Sequence, residues 1–353
     1  MWTNRDIYEK KGEKTVDTKL FSKQTLPEAA ALLKAGQVVS FPTETVYGLG
    51  ADATSDEAVR RIYEAKGRPG DNPLISHVAS IEQVEQYAAS IPEKAYQLME
   101  AFWPGPLTLV LLKKDQGISK IVTAGLPSAS FRMPDNEVTL ELIRLTEKPL
   151  AGPSANTSGR PSPTSAQHVY HDLHGKIAGI VDDGPTRVGV ESTVLDLTNP
   201  ENPIILRPGA VTPEEIEAVV GPINQHVPEL SSEDAPKSPG MKYQHYSPAE
   251  PVYIVTEEGI GWEAAIQKMA KKGEKIGLLA SDRILKEFGD KAEFVYSLGQ
   301  EQTAEEAAHH LYAGLRSFEN TAVTVILAEG LQPNAMGLAY MNRLEKAAGF
   351  KHL

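Results

Sequence analysis

The sequence contains no cysteine. Disulfides, thiolate metal sites and a cysteine nucleophile are thereby excluded in one step. No apolar run reaches the roughly 20 residues that a membrane-spanning helix needs. The opening stretch, MWTNRDIYEKKGEKTV, is polar and mixed in charge, so it does not read as a signal peptide. A cytoplasmic protein with no membrane attachment is the expectation. Three catalytic signatures are also missing: the G-x-x-x-x-G-K-[ST] phosphate loop, the H-E-x-x-H zinc helix and the G-x-S-x-G nucleophile elbow. Positive charge is short, with 35 Lys and Arg against 47 Asp and Glu, a formal net charge of −12. That balance argues against a protein built to grip nucleic-acid backbone. It leaves room for a local basic pocket around a small anion.

What is present reads as an ordinary globular chain of 353 residues, 41% hydrophobic and 23% charged, long enough for two domains. Strand-like runs recur at QVVSF (37–41), LTLVLL (107–112), SASFRM (128–133), STVLDL (192–197) and PIILR (203–207). Helical patterns lie between them. TSDEAVRRIYEAK (54–66) opens with Thr54 and Glu57 at capping-box spacing, and IPEKAYQLMEAFW (91–103) is a second. Strands mixed with helices predict an α/β domain over 1–226, with a twisted mixed sheet. After Pro248 strand and helix alternate four times, which predicts a small Rossmann-like parallel domain over 251–353. It has no Gly-rich phosphate loop after its first strand, so no nucleotide is expected there. Residues 227–250 form a linker, yet they include SPGMKYQHYSP (238–248), richer in aromatic and basic groups than a spacer requires.

Two patterns are decoys. Gly48-Leu-Gly50-Ala-Asp-Ala53 fits G-x-G-x-x-A but reads better as a tight strand-to-loop turn. His168, His171 and His174 share a helix face without a further ligand in register, and they read as a solvated face, as do His309 and His310. Four stretches could carry chemistry. In KGRPGDNPLISHV (66–78), Lys66 and Arg68 at i, i+2 can face one anion, with Asn72 and His77 nearby; a solvated surface loop fits the stretch equally. AGPSANTSGRPSPTS (151–165) is either an anion nest presenting Ser154 and Asn156 or a flexible loop. ESTVLDLT and ILRPGAVT place Ser192, Thr193 and Arg207 at strand ends, where sites or turns form. FPTETVYGLGADA (41–53) alternates Thr43, Thr45 and Tyr47, which an extended segment would carry on one face; an edge strand wetted on one side would look the same.

Taken together, PTETVYGLGADA, the K-x-R of Lys66 and Arg68, NPLISHV, FWPGPLTLVL, the S-x-N of Ser154 and Asn156, and ESTVLDL resemble the YrdC-type domain. The linker and the alternating second domain resemble the long form of that family, the two-domain threonylcarbamoyl-AMP synthases. The resemblance runs from about residue 20 to the end. It implies that L-threonine takes up carbon dioxide from bicarbonate and that the resulting carboxylate attacks the α-phosphorus of ATP. Threonylcarbamoyl-AMP and pyrophosphate are the products, with Mg²⁺ accompanying ATP. A downstream transferase complex then moves the group to tRNA, which leaves room for a weak tRNA contact here.

The resemblance also implies residue roles. Lys66 and Arg68 serve the triphosphate and the catalytic step, and Asn72, Ser154, Asn156, Thr164, Arg207 and Tyr243 help hold ATP. Thr45, Tyr47, His77, Arg132, Ser192 and Thr193 surround threonine. The linker is expected to fold over the pocket as a lid, with Tyr243, His245 or Tyr246 touching the nucleotide or the intermediate. Three other readings stand beside this one: a YrdC-type RNA-binding module without ATP chemistry, a carbamoyl-phosphate-using enzyme, and an enzyme making a plain aminoacyl adenylate.

Overall fold

The computed structural model describes residues 16–67, 70, 72–225, 246–256, 259–300 and 303–353. The first unit is built on ten strands: β1 (Lys19–Phe21), β2 (Val39–Phe41), β3 (Gly48–Asp52), β4 (Ile75–His77), β5 (Leu107–Leu112), β6 (Ser128–Arg132), β7 (Leu150–Ala151), β8 (Gly179–Val181), β9 (Thr193–Asp196) and β10 (Ile204–Arg207). They form one mixed sheet in the order β1-β8-β2-β3-β7-β4-β6-β5-β9-β10. Helices α1 (Leu26–Lys34), α2 (Asp56–Lys66), α3 (Ile81–Tyr87), α4 (Glu93–Phe102), α5 (Glu137–Thr146), α6 (Ala166–Leu173) and α7 (Pro213–Val220) pack around it.

Local chemistry explains the elements that frame the site. Helix α2 is capped by Ser55, whose hydroxyl accepts from the Ala58 amide, one residue beyond the cap expected from sequence. Thr54 instead turns back onto the Asp52 carboxylate at 2.7 Å. The helix ends where Gly67 takes a left-handed φ of 62°, leaving Lys66 as its last residue. Helix α7 has a full capping box from Thr212 and Glu215, with Pro213 in its first turn. Its Ile216 and Val220 join Leu98 and Met99 of α4 in the main apolar core. Residues 48–52, expected as a turn, instead form β3, antiparallel to β2. The glycines are there for packing: a Cβ on Gly48 would lie 2.4 Å from the Phe41 ring.

The second unit alternates as expected: β11 (Val252–Val255), α8 (Trp262–Lys271), β12 (Ile276–Ala280), α9 (Asp282–Phe288), β13 (Phe294–Ser297), α10 (Ala304–Ser317), β14 (Val325–Glu329) and α11 (Met336–Ala348). Its four strands are parallel, in the order β11-β14-β12-β13. Helices α10 and α11 pack on the first unit, and Val46 and Val190 of that unit share an apolar cluster with Leu311, Tyr312 and Tyr340. Two features expected on a solvated helix surface lie at this junction. His309 Nδ1 is 2.9 Å from the Arg187 carbonyl, and a Cβ on Gly189 would sit 2.5 Å from the His309 Cα. His168 is half-buried against Thr164, and burial followed by Arg316 lowers its pKa to about 4. Asp172 beside it receives the Arg316 guanidinium through two bonds, 3.1 and 2.8 Å.

Because Ile216 belongs to the core of the first unit, Ile216→Ala should lower stability by about 2–5 kcal/mol, read as a lower urea midpoint for that unit. An unchanged midpoint would place α7 outside that core.

Candidate active site

The first wall joins two motifs that are remote in sequence. Lys66, at the end of α2, is buried, and its ammonium donates to the carbonyls of Ser154 and Asn156, 88 and 90 residues away. Asn156 organises this loop. Its Oδ1 accepts from the Ser154 hydroxyl at 2.5 Å, and its amide nitrogen donates to the carbonyls of Thr157 and Arg160, each at 2.9 Å. The Gly- and Ser-rich stretch is therefore a fixed loop around a buried cation, not a flexible surface loop.

Arg132, at the end of β6, forms the second wall. Its Nε donates to the Gly105 carbonyl at 3.2 Å and its Nη1 to the Thr45 hydroxyl at 2.9 Å. Its Nη2 lies 2.6 Å from the Glu44 carboxylate. That contact is ionic but off the line of a hydrogen bond, so Glu44 Oε1 and Oε2 keep hydrogen-bonding capacity unused among the described residues. Thr43 gives its hydroxyl proton to the Val46 carbonyl at 2.6 Å, so in the 2.8 Å contact between Thr43 and Thr45 the donor is Thr45. His77 pairs in register with Arg132 across β4 and β6 and sits edge-on to Phe41. Burial, then the charge of Arg132, lowers its pKa to about 3, so the ring is neutral at ordinary pH. Its Nδ1 is buried without a hydrogen-bond partner among the described residues. Gly152 makes room for it, since a Cβ there would meet Nδ1 at 3.0 Å and the Phe41 ring at 2.8 Å.

The third wall is Ser192 with Arg207. Arg207 ends β10, and its Nε and Nη2 donate to the Ser192 carbonyl and hydroxyl, both at 3.1 Å. The Ser192 hydroxyl is also 2.8 Å from that of Thr108. The three walls face one pocket, whose empty volume, open mouth included, is about 650 Å³. Arg160, Glu191 and Tyr246 also line it.

A family model described as telomere recombination matches residues 31–209. A second, described as the C-terminal domain of threonylcarbamoyl-AMP synthase, matches residues 211–349. Over 324 residues the chain is 50% identical to the threonylcarbamoyl-AMP synthase of Bacillus subtilis, covering 92% of this chain and 93% of the relative. It is also 50% identical over 330 residues to the synthase of Pyrococcus abyssi, covering 92% and 94%. The chain belongs to the threonylcarbamoyl-AMP synthase family. The solved structure of Pyrococcus abyssi Sua5 complexed with L-threonine superposes with a TM-score of 0.86 at 47% identity, covering 95% of this chain and 99% of that one.

Within this synthase fold, the pocket lining brings together Thr45, His77, Arg132, Ser154, Asn156, Ser192 and Arg207 of the residues singled out from sequence, with Lys66 directly behind Ser154 and Asn156. Four others are not in the lining. Tyr47 leaves the face of Thr43 and Thr45 because the segment is a turn between β2 and β3, and its hydroxyl donates to the Gly184 carbonyl at 2.7 Å. Burial, followed by nearby aspartates, raises its pKa. Thr193 alternates away from Ser192 along β9 and donates to the Val211 carbonyl at 2.6 Å. Thr164 lies beside His168, and the Asn72 carbonyl accepts from the Tyr63 hydroxyl at 3.1 Å. Arg68, Tyr243 and His245 lie outside the described residues. Of the linker aromatics Tyr246 reaches the pocket, with its ring 5.2 Å from that of Tyr312.

Sequence reasoning missed Glu44, Arg160 and Glu191. Glu44 stands inside PTETVYG and could have been suspected as the counter-charge of a buried arginine. Nothing local marks the other two. For Mg²⁺ the donor set does not fit: among the described residues no three acidic or histidine side chains are placed to hold a metal ion, and Glu44 and Glu191 face Arg132 and Arg343.

His77 yields a pH prediction. Between its folded pKa of about 3 and its ordinary 6.5, the unfolded chain binds the extra proton, so stability falls as pH drops through that window. Replacing His77 by Gln should flatten the unfolding free energy against pH between 6 and 4 by up to about 1.4 kcal/mol per pH unit. An identical slope in the variant contradicts the assignment.

Proposed function

We propose that the pocket condenses L-threonine, bicarbonate and ATP to threonylcarbamoyl-AMP and pyrophosphate. One observation carries this reading: one pocket gathers Arg132, Arg160 and Arg207, hydroxyls and a neutral imidazole, and has no Ser–His or cysteine nucleophile in it. A reaction whose substrate supplies its own nucleophile needs that equipment and no more. The threonine amine adds to carbon dioxide and loses a proton. A carboxylate oxygen of the carbamate then bonds to the α-phosphorus while the bond from that phosphorus to the bridging oxygen breaks, and pyrophosphate leaves.

In this reading Lys66, Ser154 and Asn156 form the phosphate side, and Arg207 with Ser192 supplies a second cationic contact. Arg132, Thr45 and His77 form the threonine side. Arg132 is already balanced by Glu44, so it orients a carboxylate more than it supplies net charge. His77, neutral, serves as a hydrogen-bonding group and not as a cation. Mg²⁺ would come with the nucleotide, as the counter-charge of its phosphates. Tyr246 and the linker before it would cover the mixed anhydride and keep water from it. The product goes to a transferase complex that modifies tRNA in the cytoplasm, with at most weak tRNA contact here. No helix of the described residues is long and apolar enough to cross a membrane.

Pyrophosphate release should require threonine and bicarbonate together, and Lys66→Ala should lower kcat/KM by about a hundredfold. Release with threonine in carbon-dioxide-depleted buffer would instead identify plain aminoacyl adenylation. No release in any mixture would favour a binding module.

A further inference from the structure

The wall that carries Ser192 and Arg207 is held from behind by the other domain. Arg343, on α11, is fully buried there. Its Nε donates to the Glu191 carboxylate at 2.9 Å and its Nη2 to the Glu191 carbonyl at 3.2 Å. Its Nη1 donates to the Pro208 carbonyl at 2.7 Å. One guanidinium thus ties the residue before Ser192 to the residue after Arg207. Tyr312, on α10, adds its hydroxyl to the same carboxylate at 2.9 Å, and Ser162 takes the other oxygen at 2.5 Å. Burial opposes ionisation of Glu191, but Arg343 and Arg207 outweigh it and hold its pKa at about 2.

The second basic group in this wall is the informative one. Arg207 is buried beside a carboxylate, yet among the described residues it forms no ion pair, and its bonds go to neutral Ser192. Every observed partner of the Glu191 carboxylate other than Ser162 comes from the second domain. We infer that Arg343 is a positioning residue: by engaging Glu191 it keeps that carboxylate from forming a direct ion pair with Arg207, and so leaves the Arg207 guanidinium to the anionic nucleotide. The second domain contributes to the reaction through this ion pair. The inference rests on the ATP reading of the pocket.

The test is steady-state kinetics of pyrophosphate release by the full chain, with apparent KM for ATP and threonine measured separately. Arg343→Met should raise the KM for ATP about tenfold or more, the effect of removing one charge-assisted hydrogen bond to the nucleotide, and move the KM for threonine less. Arg343→Lys should fall between. The double variant Glu191→Gln/Arg343→Met removes both charges and should return the KM for ATP to within about threefold of wild type. A role in packing alone would not produce that rescue. If Arg343→Met does not fold, Arg343→Lys takes its place, and its raised KM for ATP must again be reversed in Glu191→Gln/Arg343→Met. A raised KM in the double variant, or a wild-type KM in the single one, overturns the inference. A wild-type enzyme that releases no pyrophosphate overturns the functional reading instead.

Discussion

The cost of burying charge is the constraint on which this molecule is organised. The pocket needs cations that water does not screen, since only then do they act strongly on phosphate and carboxylate. A buried cation without a counter-charge or hydrogen bonds is prohibitively expensive. Each wall solves this differently. Lys66 is held by the carbonyls of Ser154 and Asn156, Arg132 is balanced by Glu44, and Arg207 rests on Ser192.

That solution depends on tertiary structure at two levels. Within the first domain, the end of α2 and the loop after β7 must meet, and β4 must lie beside β6. Between domains, α10 and α11 must press Tyr312 and Arg343 against Glu191, while Arg316 grips Asp172. The junction is therefore part of the site. Tyr246 belongs to it too: it takes a left-handed φ of 70°, uncommon for a side chain of its size, between the pocket and Tyr312.

Much of the architecture was legible in the sequence because the longer elements are strongly patterned. LTLVLL became β5 without a shift, and all eight elements of the second domain were recognisable from simple alternation. Strands of two or three residues, such as β1, β4, β7 and β8, are too short to show a period. Strand β3 was hidden because Gly48 and Gly50 suggest a turn, whereas they are small in order to admit Phe41. Most of the pocket was visible through motifs that resemble a known family. Glu191 was not, because its partners Tyr312 and Arg343 lie 121 and 152 residues away and no local pattern records such a distance. Tyr47 was misplaced because alternation was assumed for a segment that folds as a turn.

The most direct test of the account is a crystal structure of the full chain with threonine and a non-hydrolysable ATP analogue bound together. The account predicts both ligands in the pocket lined by Arg132, Ser154 and Arg207, with nucleotide phosphate oxygens within hydrogen-bond distance of Lys66 or Arg207 and threonine against Arg132 and His77. A nucleotide seated on the parallel sheet of the second domain, or ligands in separate pockets, would contradict it.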